Sequence, residues 1–299
     1  MLRRLGLPLA AVVAATAIAG PAVSAAAGTV PAAASMAAGV DNVAHRGASG
    51  DAPENTIAAF RLARRQDADR LEFDVQETKD HKLVVIHDTT LSRTTNVESV
   101  YPKRRPWKVA DFTLAQIRRL DAGSWFGNRY KGERVPTLRE SLRAVQGSGL
   151  GLLLEVKSPR LYPGIERRIV AELRANPYWL PSAGTDRLVV QSFDFSSMRR
   201  FHRLMPKAPI GLIGTPVKGD LPKLAKYAEQ INVPYGRLTS AYVKRVHELK
   251  MEVFTWTVNS RSSMRRAIGL GVDGIITNEP GRLSDVLVQK RGDEEEDDD

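Results

Sequence analysis

Apolar residues fall in nine short runs along the chain, at 42–45, 70–78, 83–87, 150–157, 188–193, 210–213, 231–233, 252–258 and 274–277. Between most of them, apolar residues recur at helical spacing, at 56–65, 138–145, 164–175, 196–204, 241–249 and 261–270. This alternation predicts parallel strands joined by crossover helices. The second and third runs are separated only by 79–82. A parallel crossover needs about a dozen residues or more, so this pair must form an antiparallel hairpin. With the return strand set aside, eight parallel strands remain, the number in a (β/α)8 barrel. The expected fold class is therefore α/β, a (β/α)8 TIM barrel with a β-hairpin after strand 2. The hairpin would carry His87 back towards the mouth that the outgoing strand has just reached.

The segment 89–136 breaks the rhythm. It holds Pro102, Pro106, Trp107 and Trp125 and one short helical stretch, 114–120. A connection this long in a compact domain is usually functional, and it is expected to be an inserted cap over the binding face. Residues 1–37 read as an export leader: Arg3 and Arg4, an apolar run over 5–20, then small residues with Ala-x-Ala-like sites near Ala25 or within 32–37. Pro8 and the many alanines make that run weakly hydrophobic and short for a membrane span. The expectation is a secreted, extracellular protein with its folded body at 38–290. Positions 293–299 are seven consecutive acids, a self-repelling block, so 291–299 is expected to be a disordered tail.

Charge and cysteine content narrow the chemistry. The formal net charge is +10 even with the acidic tail included. A basic body favours anionic partners: a small phosphodiester, an acidic cell-wall polymer or a membrane surface. No recognition motif with interleaved aromatics is present, so nucleic acid is not expected. The chain has no cysteine, which excludes disulfides and thiolate metal sites.

Barrel enzymes carry their chemistry at the C-terminal ends of the strands, and the polar residues here collect at those ends. His45 and Arg46 close the first run. Glu72 and Asp74 stand at i and i+2, so both face one way and Phe73 the other. Glu155 and Lys157 repeat that spacing around Val156, Gln191 closes the next run, and Asn259 follows Trp256. A single acid is more often an ion-pair partner than a ligand. The repeated pattern at strand ends instead points to Glu72, Asp74 and Glu155 converging on one hard cation, Ca²⁺ or Mg²⁺. His45 and His87 can supply a base and an acid near neutral pH. Arg46 and Lys157 can neutralise charge on phosphate oxygens. Of the other histidines, His81 falls in the hairpin turn and His202 and His247 on outer helices, so all three are assigned to the surface. Glu54 and Asn55 precede a helix. Capping suits Asn55 in particular; the alternative is that the pair orients His45 or a substrate hydroxyl. Trp256 and Phe193 are candidates to wall the substrate pocket, Trp256 with the better placement near a strand end.

These residues form ordered motifs: HRG with PENT after it, E-x-D, T-K-D, V-x-x-H-D, E-x-K, T-W-T-V-N and G-I-I-T-N. From about 43 to 280 the chain resembles the glycerophosphodiester phosphodiesterases of the secreted bacterial type. The segment RRPWKVADFTLAQIRRLDAGSWF, with VPTLRES after it, is similar to the insertion of that family. The resemblance implies a (β/α)8 barrel with an inserted cap, and metal-dependent hydrolysis of glycerophosphodiesters to sn-glycerol 3-phosphate and an alcohol. It implies His45 and His87 as catalytic, Glu72, Asp74 and Glu155 as ligands of one Ca²⁺ or Mg²⁺, and Arg46 and Lys157 at the phosphate. It also implies attack by a glycerol hydroxyl through a cyclic phosphate that water opens. The assignment of acid and base between the two histidines stays open. The family's hairpin turn has glycine where His81 stands, and histidine visits positive φ more readily than most residues. Two other readings share the residues: a phospholipase-type barrel that releases a cyclic phosphate, and a non-catalytic barrel that binds an anionic polymer.

Overall fold

The computed structural model describes residues 39–180 and 187–297; the leader expected at 1–37 and the last two acids lie outside the described residues. Nine strands form one sheet: β1 (Asp41–Ala44), β2 (Arg70–Glu77), β3 (Leu83–Val85), β4 (Gly151–Val156), β5 (Leu188–Ser192), β6 (Ile210–Ile213), β7 (Gln230–Pro234), β8 (Glu252–Trp256) and β9 (Gly274–Thr277). Strands β1, β2 and β4 to β9 pair in parallel and close on themselves through β1–β9 and β1–β2. Strand β3 is the antiparallel hairpin partner of β2. The closure shows how β2 serves both neighbours on one edge: Arg70 and Leu71 pair with β1, and Val75 to Glu77 pair with β3. The return strand therefore takes the part of the β2 edge that β1 leaves free.

Helices α1 (Ile57–Arg65), α2 (Val97–Val100), α3 (Leu114–Ile117), α4 (Leu138–Val145), α5 (Ile165–Arg174), α6 (Phe195–Leu204), α7 (Leu221–Leu224), α8 (Ser240–His247), α9 (Arg261–Gly269) and α10 (Pro280–Asp297) complete the chain; α2 and α3 lie in the insertion. Several starts are written locally. Thr113 with Gln116 and Thr137 with Glu140 form capping boxes, and Thr56, Asp194, Thr239 and Ser260 cap α1, α6, α8 and α9. Three helices have no counterpart in the hydrophobic pattern. α2 and α7 are four residues long, too short to show a period, and α10 begins at Pro280 and carries helical backbone through Asp297. Its end does not coincide with the boundary expected at 291; glutamate is a good helix former. No described helix is long and apolar enough to cross a membrane.

Strand alternation splits the apolar residues into two layers. Leu71, Phe73, Leu152, Leu154, Val190, Leu212, Ile231, Val253 and Ile275 face outward into the layer under the helices. Val43, Leu153, Val189, Phe254 and Ile276 face inward and plug the barrel. Two positions further along each of these strands, on the same inner face, stand His45, Glu155, Gln191, Trp256 and Asn278. The apolar plug is thus the floor of the site.

The segment 89–136 builds its own small core against the hairpin: Leu91, Val97, Trp107, Phe112, Ile117 and Leu120 pack on Val84 and Ile86. Arg129 and the Tyr130 hydroxyl both donate to the Asp51 carbonyl at 2.7 Å, tying the insertion to the loop between β1 and α1. None of the residues lining the central cavity comes from it; it reaches the site through Arg93.

The plug leaves little slack. A Cβ at Gly274 would stand 2.5 Å from the ring of Phe254, its partner in the β8–β9 register. Gly274→Ala is expected to cost about 1–3 kcal/mol of stability by overpacking, read by denaturant unfolding, with Phe254→Leu in the same chain recovering much of the loss.

Candidate active site

The acids come together as the spacing predicts. Glu72 and Asp74 share the inner face of β2, and Glu155 of β4 lies in register beside Asp74. One carboxylate oxygen from each lies within 4.8 Å of the others, and all three residues are buried. Three buried negative charges at that separation repel strongly. Burial, then the charges of Asp74 and Glu155, push the Glu72 carboxyl well above its ordinary range. Burial and then Asp74 push Glu155 up to about 7. Asp74 goes the other way: against burial, Lys157 and Arg46 hold it down to about 2. Oxygen ligands on one inner face with surplus negative charge suit a hard divalent cation, and these three residues are the ones that would hold it.

Two cations already answer the acids. Lys157, just past β4, places Nζ 2.9 Å from Glu155 and 3.4 Å from Asp74. Arg46 adopts a left-handed backbone with φ 57°, and its N–H donates to Glu72 Oε2 at 2.8 Å. Its guanidinium reaches Glu54 at 2.9 Å and lies 3.5 Å from Asp74.

The histidines flank this cluster. His45 follows β1, and its Nδ1 meets Asn278 Oδ1 at 2.7 Å. Burial, then Arg46, lowers its pKa to about 4. His87 lies two residues past β3, and its Nδ1 meets Asp88 Oδ1 at 2.7 Å. Burial lowers its pKa, against the pull of Asp74. His45, Arg46, Glu72, His87, Glu155 and Lys157 line one small cavity of about 60 Å³ that Trp256 and Phe193 wall. The two rings meet edge to face at 5.6 Å, and Lys157 Nζ lies 5.6 Å from the Phe193 centroid. Beyond Glu155, Lys157 and Phe193 opens a wider cavity of about 490 Å³, bounded by Pro159, Leu161 and Asp194.

Of the alternatives left open for Glu54 and Asn55, neither capping by Asn55 nor a bond to His45 is what the structure holds. Thr56, not Asn55, caps α1. Asn55, with φ 57°, turns inward and donates to Asp74 Oδ2 at 2.9 Å. Glu54 binds Arg46 and Arg93 rather than His45. His81 is exposed in the hairpin turn at φ 58° and contacts Glu77. His202 and His247 lie on α6 and α8, half-buried rather than fully exposed; His247 meets Asp273 at 2.8 Å.

Sequence reasoning missed three supports. Asn278 orients His45, and Asn259 Oδ1 in turn accepts from the Asn278 N–H at 2.9 Å. Asp88 orients His87. Arg93 donates to Asp88 and, through both terminal nitrogens, to Glu54 at 2.7 and 2.8 Å, so one guanidinium ties the partner of His87 to the partner of Arg46. Asp88 stood next to His87 in the V-x-x-H-D motif and was available to be read. An arginine 39 positions from Glu54 carried no such signal.

A parallel eight-stranded barrel with two histidines, two cations and three acids at its C-terminal mouth is equipped for acid–base chemistry on a phosphodiester. The comparisons with known proteins agree. The Glycerophosphoryl diester phosphodiesterase family matches residues 45–282, and the chain belongs to that family. It is 39% identical over 243 residues to a putative glycerophosphodiester phosphodiesterase of Bacillus subtilis, covering 80% of this chain and 94% of that one. It is 38% identical over 254 residues to a glycerophosphodiester phosphodiesterase of Caldanaerobacter subterraneus, covering 84% and 98%. Among solved structures, an Oleispira antarctica phosphodiesterase in complex with the product sn-glycerol-3-phosphate superposes with a TM-score of 0.73 at 28% identity, covering 83% of this chain and 96% of that one.

The raised carboxyls give a pH dependence with a definite sign. Unfolded, Glu155 ionises at its ordinary value; folded, it keeps its proton to about 7. Between those values the folded state binds more protons, so stability falls as pH rises. With chelator present, the melting temperature is expected to fall between about pH 4.5 and 7, and Glu155→Gln to remove much of that slope.

Proposed function

We propose that this protein hydrolyses glycerophosphodiesters to sn-glycerol 3-phosphate and an alcohol, with His45 as general base and His87 as general acid. The observation that carries the reading is the pair of histidines lining one small cavity with the acidic cluster and with Arg46 and Lys157.

The hydrogen bonds support the division of labour. An amide oxygen only accepts, so His45 Nδ1 carries the proton towards Asn278 and Nε2 is left bare to take one. A pKa near 4 keeps that imidazole neutral at physiological pH. His45 then draws the proton from the attacking glycerol hydroxyl, which closes a cyclic phosphate as the alcohol departs; water then opens that ring, with His87 taking its proton and His45 returning one to the glycerol oxygen. His87 Nδ1 points at a carboxylate, Asp88, which favours the imidazolium form against the burial that lowers its pKa; once protonated, its Nε2 delivers a proton to the oxygen of the departing alcohol. Arg46 and Lys157 hold the phosphate by bidentate and point-charge contact. A divalent cation, Ca²⁺ or Mg²⁺, held by Glu72, Asp74 and Glu155 would neutralise charge on the non-bridging oxygens. Phe193 and Trp256 wall the substrate, and the wider cavity past Lys157 gives the alcohol its place.

We also propose that the protein is exported on its leader and acts at an anionic wall polymer or membrane surface, which the basic body supports. An N-terminus recovered from culture medium that starts within or just after 25–37 would agree; an intact Met1 would not.

His45→Ala and His87→Ala are each expected to lower kcat by about 10²–10⁴-fold on a glycerophosphodiester. Chelation should abolish turnover, and Ca²⁺ or Mg²⁺ should restore it. With the ion saturating, kcat/KM should rise as pH falls through and below 6.5, where His87 gains the proton it gives, and drop only nearer 4, where His45 gains its own; an acid-limb midpoint at or above 6.5 would contradict His45 as the base. Phosphorus NMR should show glycerol 3-phosphate without lasting cyclic phosphate, whose accumulation would mark the phospholipase-type reaction instead.

A further inference from the structure

The inner face of β2 carries a third polar residue beyond the two acids. Gln76 stands two positions after Asp74 and is fully buried. Its amide nitrogen is used to capacity. Nε2 donates towards three successive carbonyls, Ile86 at 2.8 Å, His87 at 2.9 Å and Asp88 at 2.7 Å. Oε1 accepts from the Tyr162 hydroxyl at 2.8 Å. Tyr162 is itself buried, on the turn after β4.

The need for this amide follows from where β3 ends. The last strand residue is Val85, and the Ile86 N–H still donates to the Asp74 carbonyl at 2.9 Å. Past that bond the chain leaves the ladder, and its carbonyls curl around Gln76 instead of a neighbouring strand. Buried carbonyls require donors, and an amide supplies two hydrogens on one nitrogen to three oxygens. No apolar side chain could do so. Glutamate would bring acceptors and a charge to a site already crowded with acids. Asparagine would be one methylene short.

We infer that Gln76, anchored by Tyr162, is the positioning residue of His87: it fixes the main chain of 86–88, while Asp88 and Arg93 fix the imidazole. This deepens the reading of His87 as proton donor and rests on it. The main chain and the ring are thus held by separate sets of bonds, and a loss of either lets the ring drift from the cavity it shares with Glu72 and Glu155. A displacement of about 1 Å at a reacting group can cost about 10²-fold in rate.

The test is a double-mutant cycle on kcat and KM with Gln76→Met, Tyr162→Phe, His87→Ala and the combinations with His87→Ala. Gln76→Met is expected to lower kcat by about tenfold to a hundredfold with KM kept within about twofold. In the His87→Ala background the same change should lower the residual rate by less than about twofold, because the group it positions is gone. An equal loss in both backgrounds, or a raised KM with kcat kept, overturns the inference. Tyr162→Phe removes only the anchoring hydroxyl and carries the same comparison if Gln76→Met does not fold. A glycerol phosphodiester of 4-nitrophenol separates the underlying reading, since its phenolate leaves without a proton. On it His87→Ala should recover most of its activity. If His87→Ala is equally slow there, His87 is not the donor, and the non-additivity still decides whether Gln76 acts through it.

Discussion

Three carboxylates buried within 4.8 Å of one another repel, and the mouth of the barrel is organised around that repulsion. Lys157 and Arg46 supply opposite charge, and Asn55 and the Arg46 main chain supply N–H donors. The backbone bends to deliver them: Arg46, Asn55 and Ser158, next to Lys157, all adopt positive φ without being glycine. Left-handed conformations at such residues cost free energy and persist only where the surroundings hold them. Here Arg46 and Asn55 are held by their bonds to Glu72, Glu54 and Asp74. Even so, Glu72 and Glu155 remain raised, which leaves a site with negative charge to spare for a cation.

The two histidines reach this cluster by different routes. His45 is the continuation of a barrel strand and inherits its place from the Val43 alternation. His87 depends on the hairpin, which returns along the stretch of β2 that β1 does not cover. That return strand is only three residues long, so it needs support from outside the barrel. The insertion supplies an apolar core behind it and, in Arg93, a bond to Asp88. The long segment and the short strand are in this sense one device: the first holds the second, and the second presents a histidine.

Much of this was legible because barrel chemistry is periodic. Strands place alternate residues on one face, so Glu72 with Asp74, and Glu155 with Lys157, announced a shared direction before any fold was known. Gln76 sat on the same count, but its partners, the carbonyls of 86–88 and the Tyr162 hydroxyl, do not show in the local pattern. The roles of Asn278, Arg93 and Asn55 were not legible for a different reason. Each acts across 19 to 233 positions of chain on a partner that only closure of the barrel brings near. Asn55 could as well have capped the helix that Thr56 caps.

By itself, then, the order of residues determined the strands, most of the helices, the hairpin and the inward-facing polar set, since these follow from local period and from how short a turn can be. The pairing of each functional group with its support, the raised and lowered protonation of the acids and the hydrogen-bond partners of the histidines were decided by the tertiary structure. Electrostatic and hydrogen-bond energies depend on distance and burial, and neither exists until the barrel has closed.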